Sequence, residues 1–479
     1  MPELPAPTDV DALRARLESA GASRRPIGLD RVRIQEDALA YLADEIDGVR
    51  RDGPVLVIVD ETPMRRAGAD LKVRVIDDLE AAFDVRVATI RAHGSELHAD
   101  ADALRQADEA IAAVRPGCIV SVGSGTITDV AKDASMRAGD IPFVVVQTAV
   151  SVNAFSDDMA VLLRDGVKRT VPSRWPDALL VDLGVIADAP AAMNRAGFGE
   201  LCSMFTAPAD WYLATAVGLD DTYDEAVVGL FRDGAEGLLQ GAERVRANDP
   251  AMLAELASRM TLTGIAMGVA GRTAPLSGTE HLLSHLLDMA AGAAGRPLAF
   301  HGAQVGVASV LAATLWQETL ARFDPSSLGG DGAVPDPTVI EARVRAAFDP
   351  IDPSGRMADE CWRDVAKKLD RWRAARPRIE AFADTWPRHR AALADLVASP
   401  DVLRAALARA GAAATLADLE PAVPVDVGRW AVRALPLMRD RFTVADLWLF
   451  TDGWDEATAD GLLDRSGILD TGDPVEVAP

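Results

Sequence analysis

Short apolar runs alternate with helix-length segments in the first part of this chain, and that alternation restricts the fold more than any other feature. Residues 55–59 and 85–90 are runs rich in β-branched residues, and residues 118–122 and 142–146 repeat the pattern. Runs that are apolar at successive positions suit strands that are buried on both faces. The alternation therefore predicts an α/β fold with a parallel sheet covered by helices on both faces.

The pattern changes beyond residue 150. Asp165-Gly166 is a strong two-residue turn signal and predicts a hairpin over residues 159–171, and residues 179–181 form a last short strand. From Asp188 onward the chain is almost wholly helical in pattern. We therefore predict an N-terminal extension at 1–28, a parallel-sheet α/β domain at 29–187, and an all-helical domain at 188–479.

Length and charge limit the classes of partner. A chain of 479 residues exceeds one ordinary core, and its 49 Lys and Arg against 73 Asp and Glu give a net charge of -24. That charge argues against nucleic acid or an anionic membrane as a partner. We expect a cytoplasmic protein with a small-molecule substrate and no membrane insertion, because the chain has no long apolar run and no signal-peptide pattern. A homo-oligomer is left open.

The cysteines do not suggest a disulfide framework or a metal site. Cys118, Cys202 and Cys361 are odd in number and far apart, with no CxxC pair. We expect them to fill buried space.

Three of the six histidines lie close together in the sequence, at His281, His285 and His301. The first two are four residues apart and would share one face of a helix, and the third follows a Gly/Ala-rich stretch. Neutral imidazole is a common ligand of zinc and similar ions. Each ring can equally be a hydrogen-bonded core residue, and an acidic ligand from elsewhere is needed to support a metal site.

Gly123-Ser124-Gly125-Thr126 follows a predicted strand and precedes a predicted helix. Small residues at such a junction let backbone N–H groups approach a phosphate, and the helix dipole favours the negative charge. Thr126 can cap the helix. The alternative is a tight turn without a ligand, since the segment is neither a GxGxxG motif nor a Walker loop.

Eight stretches of this sequence, in order, resemble one known family, the sn-glycerol-1-phosphate dehydrogenases. This family lies within the superfamily of iron-containing alcohol dehydrogenases and dehydroquinate synthase-like proteins. The stretches are residues 123–132, 147–151, 165–170, 196–201, 209–211, 277–285, 301–306 and 439–443.

The resemblance implies a catalytic divalent ion bound by Glu200, His281 and His301. Two histidines and a carboxylate, with one position open, are a ligand set of catalytic zinc sites. We expect zinc, with iron or nickel as alternatives. His285 would then face the substrate as a proton relay, and its alternative is a hydrogen-bonded core histidine.

The resemblance also implies NAD or NADP as cofactor. It makes residues 29–187 a Rossmann-like dinucleotide-binding domain and residues 188–479 a metal- and substrate-binding domain. The loop at Gly123, Ser124, Gly125 and Thr126 would bind the pyrophosphate. Asp60, at the end of the first predicted strand, would accept hydrogen bonds from the adenine ribose, which favours NAD slightly; alternatively it caps a helix. The other residues that we expect near the cofactor are Asp129, Thr148 and Ser151.

The sequence departs from the family near the expected substrate. Glu200 stands where these dehydrogenases usually carry aspartate, Met204 replaces a lysine, and Asn153 replaces an aspartate that would contact a substrate hydroxyl or the nicotinamide. Candidate phosphate-binding residues are Lys168, Arg169 and Arg174, with solvated surface charge as the alternative.

The implied function is a metal-dependent, NAD(P)-linked oxidoreductase of a small polyol or polyol phosphate. It would interconvert dihydroxyacetone phosphate and sn-glycerol 1-phosphate, with His285, Asn153 and Lys168 as catalytic residues. One alternative is a lyase-type sugar-phosphate cyclase resembling dehydroquinate synthase, which Glu200 favours. Another is a non-catalytic member of the family, against which the intact metal-ligand set argues.

Overall fold

The computed structural model describes residues 4–21, 25–92, 97–164, 167–329 and 335–469. Six of its strands form one parallel sheet in the order β1-β10-β7-β6-β2-β5, and the other four form two small antiparallel pairs, β3-β4 and β8-β9. The strands are β1 (Arg31–Gln35), β2 (Val55–Asp60), β3 (Arg65–Arg66), β4 (Ala69–Asp70), β5 (Val85–Ile90), β6 (Cys118–Gly123), β7 (Phe143–Gln147), β8 (Met159–Arg164), β9 (Val167–Pro172) and β10 (Ala178–Asp182).

Helices alternate with the strands of the sheet and then make up the rest of the described chain. The helices up to residue 246 are α1 (Val10–Ser19), α2 (Leu42–Asp47), α3 (Leu71–Glu80), α4 (Ala101–Val114), α5 (Gly125–Arg137), α6 (Leu183–Asp188), α7 (Ala191–Leu201), α8 (Ala207–Ala216), α9 (Glu225–Arg232), α10 (Glu236–Gln240) and α11 (Glu243–Arg246). The later helices are α12 (Pro250–Ala270), α13 (Thr279–Ala293), α14 (His301–Arg322), α15 (Pro337–Phe348), α16 (Arg356–Ala374), α17 (Arg376–Asp384), α18 (Trp386–Leu396), α19 (Pro400–Ala410), α20 (Val425–Ala434), α21 (Val444–Phe450) and α22 (Glu456–Ser466). Short 3-10 helices lie at Ala38–Tyr41, Cys202–Phe205, Pro325–Leu328, Leu416–Asp418 and Leu435–Leu437.

The centre of the sheet is apolar because its strands are buried on both faces. β2, β6, β7 and β10 are buried along their whole length apart from Asp60. Val57, Val120, Val144 and Leu180 are 0% exposed and belong to one apolar cluster. Burying a side chain of this size stabilises the folded state by about 1.5–3 kcal/mol.

Two compact units divide the described chain. The first comprises Met1–Phe198 and Asp224–Thr273 and contains all the strands, whereas the second comprises Gly199–Tyr223 and Ala274–Pro479 and is helical. The predicted fold class, a Rossmann-like parallel-sheet part followed by a helical part, is confirmed. The predicted boundary near residue 187 marks the change from strands to helices, and as a domain boundary it stays a prediction.

The predicted strands and the hairpin over 159–171 are present, but two local details differ from the sequence analysis. The patterns do not predict β1, because on this edge strand only Val32 is buried and arginines flank it. The N-cap of α5 is Ser124, so the expectation that Thr126 caps this helix is wrong: the helix begins at Gly125, one residue before Thr126. The turn residues 165–166 lie outside the described residues.

Two further observations concern burial. Cys118, Cys202 and Cys361 are free and buried, as expected. Among the described residues, no helix combines the length and the apolar character needed to cross a bilayer.

Candidate active site

The three predicted metal ligands come together in the second unit. One ligand atom of each of Glu200, His281 and His301 lies within 4.8 Å of the others. Glu200 Oε1 is 3.4 Å from His281 Nε2, and Glu200 Oε2 is 3.8 Å from His301 Nε2. The two imidazole rings meet edge to face with centroids 5.2 Å apart. We call these three residues the metal triad.

Glycines bring the backbones that carry Glu200 and His301 close together. A Cβ on Gly199 would lie 2.3 Å from the carbonyl oxygen of Gly302, and a Cβ on Gly306 would lie 2.8 Å from the Cα of Gly199. Only residues without a side chain allow such an approach. Gly199 and Gly306 therefore allow the backbones that carry the two predicted ligands to lie beside each other.

A buried carboxylate holds the start of α13, the helix that carries His281. Asp210 accepts hydrogen bonds from the Thr279 backbone N–H at 2.7 Å, from the Thr279 hydroxyl at 2.8 Å, and from the Val444 N–H at 2.8 Å. Burial, and then the negative charge of Glu280, raise the pKa of Asp210 to about 7. Arg441 donates to the carbonyl and hydroxyl oxygens of Ser277, just before this helix. These contacts give a physical role to two stretches of the family resemblance, 209–211 and 439–443.

The Nδ1 atoms of both histidines that are predicted to bind the metal make hydrogen bonds to residues other than Glu200. His281 Nδ1 is 3.0 Å from Glu280 Oε1, which also accepts from the Gly278 N–H at 2.6 Å. His301 Nδ1 is 3.0 Å from Ser284 Oγ. A metal-binding histidine usually has its second nitrogen fixed in this way, because the contact orients the ring and its tautomer. Sequence analysis did not identify Glu280 or Ser284 as site residues.

The electrostatics of the triad fit a divalent cation. Burial alone would raise the pKa of the Glu200 carboxyl, but the charges of His301 and His281 outweigh it and lower the pKa. Burial alone would lower the pKa of His281, but Glu200 and then Glu280 raise it to about 9. Glu200 Oε2 is buried and has no hydrogen-bond partner among the described residues. A buried carboxylate with an unsatisfied oxygen that faces two imidazole Nε2 atoms is a donor set that a divalent ion would satisfy.

His285 lies beside the triad rather than within it. Its ring stacks on His301 with centroids 5.9 Å apart, and the residue is only partly buried. The prediction that His281 and His285 share one face of a helix agrees with their positions in α13.

Three of the predicted cofactor residues, Asp60, Gly123 and Thr148, lie in the first unit at or next to the carboxyl ends of strands. The strand order reverses between β2, which ends at Asp60, and its neighbour β6, which ends at Gly123. In open α/β sheets, ligands bind at the carboxyl ends of the strands where the order reverses. The Thr148 N–H donates to the Gly123 carbonyl at 3.2 Å, which brings the next strand's end to the same place.

The loop at 123–126 leaves the first turn of α5 available to a ligand. Ser124 makes no side-chain capping hydrogen bond, and its Oγ lies 3.2 Å from Ser151 Oγ instead. The N–H groups of a helix's first turn have no partner within the helix. Among the described residues, a Cβ on Gly125 would come within 4 Å of Val152 Cγ2 alone, at 2.9 Å, whereas a Cβ on Gly123 would meet the side chain of Ile127. Packing against Ile127 is thus sufficient to explain why residue 123 is a glycine. Gly125 has fewer neighbours and lies next to more open space.

Asp60 is paired with a lysine. Lys72 Nζ donates to Asp60 Oδ1 and to the Asp60 carbonyl, each at 2.6 Å, and to the Thr62 carbonyl at 2.7 Å. Asp60 also accepts from the Thr62 N–H and hydroxyl, and the N-cap of the following helix, α3, is Asp70 instead. A ribose bound at Asp60 would therefore meet an ion pair with no net charge.

Asp129 belongs to a buried polar cluster in the first unit. Lys132 Nζ donates to Asp157 Oδ1 at 2.6 Å, to the Ala154 carbonyl at 2.6 Å and to the Met159 carbonyl at 2.8 Å. Asp129 Oδ1 is buried without a hydrogen-bond partner among the described residues. Burial raises the pKa of Asp129 to about 8; the charge of Lys132 opposes this shift and that of Asp157 adds to it.

The remaining predicted residues have varied surroundings. Asn153 is partly buried, and Met204 is 0% exposed. Arg174 donates to Asp177, Ser135 and the carbonyls of Ile141 and Trp175, which favours a structural role over phosphate binding. The side chain of Lys168 lies outside the described part of the chain.

Comparison with known proteins identifies relatives. A sequence profile of the family described as iron-containing alcohol dehydrogenase matches residues 33–190. A glycerol-1-phosphate dehydrogenase (NAD(P)+) from Thermococcus kodakarensis is 31% identical over 297 residues, which are 60% of this chain and 80% of that protein. Another glycerol-1-phosphate dehydrogenase (NAD(P)+), from Halalkalibacterium halodurans, is 33% identical over 222 residues, which are 46% of this chain. The chain spans about half the length of that relative (55%).

A solved structure shares the fold. The iron-containing alcohol dehydrogenase of Corynebacterium glutamicum is 14% identical to this chain and superposes with a TM-score of 0.54 over 95% of this chain and 99% of that one. At that level of identity the likeness concerns the fold alone.

Proposed function

This chain belongs to the glycerol-1-phosphate dehydrogenase family, and on that premise we propose that it is a metal-dependent, NAD(P)-linked oxidoreductase of a small polyol phosphate. The proposed reaction interconverts dihydroxyacetone phosphate and sn-glycerol 1-phosphate. The observation that carries the proposal is the buried carboxylate of Glu200, placed 3.4 Å from His281 Nε2 and 3.8 Å from His301 Nε2.

Glu200, His281 and His301 would hold a divalent ion, with zinc as the proposed metal. Such an ion would polarise the substrate carbonyl and stabilise negative charge on its oxygen, while the nicotinamide would supply hydride to the carbonyl carbon. Three protein ligands leave a coordination position for substrate. The contacts from His281 Nδ1 to Glu280 and from His301 Nδ1 to Ser284 would keep the Nε2 atoms of both histidines directed at the ion.

The cofactor would bind at the point where the strand order reverses. The N-terminal N–H groups of α5, with Gly123, Ser124, Gly125 and Thr126, would hold the pyrophosphate. Asp60, paired with Lys72, would meet the adenine ribose. Further along the dinucleotide we place Asp129, Thr148 and Ser151. Because the carboxylate of Asp60 is neutralised, the proposal allows both NAD and NADP.

Three residues are proposed to act on substrate. His285, partly buried and stacked on His301, would pass a proton between the substrate oxygen and solvent. Asn153 would contact a hydroxyl or the nicotinamide, and Lys168 would bind the phosphate. The buried Met204 supplies no charge at a position where the family resemblance leads us to expect a lysine. The cytoplasmic location expected from the sequence, and any homo-oligomer, stay predictions.

A substrate series tests the proposal. The metal-loaded protein is mixed with NADH or NADPH and with dihydroxyacetone phosphate, dihydroxyacetone or another short ketone, and the absorbance of the reduced nicotinamide is followed. We expect fastest oxidation with dihydroxyacetone phosphate and sn-glycerol 1-phosphate as the product. Conversion of a sugar phosphate without net oxidation of NAD(P)H would point to a cyclase instead, and no reaction with any substrate would point to a non-catalytic role.

A further inference from the structure

A chain of side-chain hydrogen bonds runs from His301 to an aspartate outside the metal triad. His301 Nδ1 lies 3.0 Å from Ser284 Oγ, Ser284 Oγ lies 2.6 Å from Gln304 Oε1, and Gln304 Nε2 lies 3.1 Å from Asp288 Oδ1. Ser284 is 0% exposed and Gln304 is 2% exposed, so water has little access to the middle of this chain. We call Ser284, Gln304 and Asp288 the relay.

Helix geometry accounts for the relay. Ser284 and Asp288 are four residues apart on α13, and His301 and Gln304 are three residues apart on α14. Both spacings put the two side chains on one helix face. The faces of these two packed helices therefore bring the four groups into a single line of contacts.

The charge at the outer end fixes the direction of every hydrogen bond in the relay. An ionised carboxylate only accepts, so the Gln304 amide must turn its NH2 group toward Asp288 and its carbonyl oxygen toward Ser284. The Ser284 hydroxyl has one hydrogen, which it donates to that carbonyl oxygen. Toward His301, Ser284 can then only accept.

In its neutral form, which is the form that binds a metal, His301 must therefore carry its hydrogen on Nδ1, and the lone pair of Nε2 then faces the metal triad. We propose that the relay sets the tautomer of His301, and that Asp288 is a positioning residue for the metal although it is not a ligand. This inference rests on the proposed function because it takes the triad to be the metal site. Outer partners of metal-binding histidines typically contribute about 10- to 100-fold to metal affinity.

The direction of the hydrogen bonds in the relay depends on the charge at position 288. A lysine at position 288 would donate to Gln304 and reverse its amide, whose NH2 group would then donate to Ser284. The freed Ser284 hydrogen would point at His301 Nδ1 and favour the tautomer with its hydrogen on Nε2, the wrong one for metal binding. Asp288→Lys should therefore act through Ser284, beyond any general effect of added positive charge.

A double-mutant cycle separates the two effects. The full chain and the variants Asp288→Lys, Ser284→Ala and the double variant are titrated with Zn²⁺ against a chelator. We expect Asp288→Lys to weaken zinc binding at least about tenfold more when Ser284 is present than when alanine replaces it. Ser284→Thr keeps the hydroxyl and should bind zinc nearly as the wild type does. Asp370→Asn, an exposed aspartate of α16, is the control for a lost surface carboxylate.

Additive costs in the cycle, or unchanged zinc affinity in both single variants, would overturn the relay. If Asp288→Lys does not fold, Gln304→Met breaks the same link and replaces it in the cycle. If the proposed function alone is wrong, the wild type binds zinc and the cycle shows the relay, but the protein reduces no ketone. If the wild type binds no zinc, both the proposed function and this inference are overturned.

Discussion

Glu200 lies with its Oε1 3.4 Å from His281 Nε2, although the carboxylate is only 2% exposed. The pairing predicts that the purified protein holds about one divalent ion per chain and that His281→Ala loses it. We expect metal affinity to fall by more than about a hundredfold, because even an outer partner of a ligand contributes about 10- to 100-fold. His389→Ala, at a histidine bonded to the Tyr212 hydroxyl, is the matched control. Elemental analysis that finds full occupancy in His281→Ala would place the metal elsewhere.

The loop before α5 gives a second prediction, on cofactor binding. A Cβ at Gly125 would press on Val152 Cγ2 at 2.9 Å, so a single substitution confounds folding with binding. We therefore compare Gly125→Val with Gly125→Ala, each combined with Val152→Ala to relieve that contact. The branched side chain should weaken NADH binding by at least about tenfold, or ~1.4 kcal/mol, because it fills the space next to the N–H groups that the pyrophosphate needs. Equal affinities in calorimetry would exclude this loop as the cofactor site.

The pair formed by Lys72 and Asp60 predicts an effect on cofactor preference. The ammonium group of Lys72 lies 2.6 Å from Asp60 Oδ1 and neutralises the charge of that carboxylate. Lys72→Met leaves the charge of Asp60 uncompensated, and a carboxylate there repels a 2′-phosphate. We expect the ratio of NADPH to NADH affinity to fall about tenfold, or ~1.4 kcal/mol. Arg74→Met removes a more exposed cation from the same helix and should leave the ratio unchanged. A ratio that is the same in both variants would remove Asp60 from the ribose site.

The raised pKa of Asp129 leads to a prediction of how the free energy of unfolding depends on pH. Burial is the main cause that raises the pKa of its carboxyl to about 8; Lys132 opposes the shift and Asp157 adds to it. The unfolded chain loses this proton near pH ~4, so the stability contributed by the protonated carboxyl is complete below that pH and is lost as pH rises through about 8. Asp129→Asn cannot ionise.

We therefore expect the stability of Asp129→Asn, relative to the wild type, to increase between about pH 5 and about pH 8. Urea unfolding of the cofactor-free proteins at several pH values measures this difference. Asp78→Asn, at an exposed helix carboxylate, should show no such trend. Parallel curves for the wild type and Asp129→Asn would mean that the folded chain does not hold this proton.

Strands buried on both faces could be predicted from sequence, and an edge strand could not. β6 and β7 are apolar at nearly every position because both of their faces are covered. β1 has one buried residue, Val32, and its arginines Arg31 and Arg33 pair with Glu45. Pairing partners also lie far apart in the chain, so the sheet order was not predictable from local patterns.

The candidate site shows a similar limit. The spacing of His281 and His285 predicts a shared helix face, but only the family resemblance supplied Glu200, because it comes from a different helix. Glu280 could have been suspected as a carboxylate beside a predicted ligand. The contact between Ser284 and Gln304 depends on how α13 packs on α14, which no local pattern encodes. The sequence predicts that Met204 removes a charge near the substrate, yet Met204 is completely buried, so a lysine there would need a buried partner.

The most direct test of the central claim is the rate of NAD(P)H oxidation by dihydroxyacetone phosphate, measured on the metal-free chain before and after addition of Zn²⁺. The account predicts no substrate-dependent oxidation without metal, and one nicotinamide oxidised per molecule of glycerol 1-phosphate formed once metal is present. The account would be contradicted if the metal-free protein turned over equally fast. It would also be contradicted if a protein shown to bind both zinc and NAD(P)H gave no turnover.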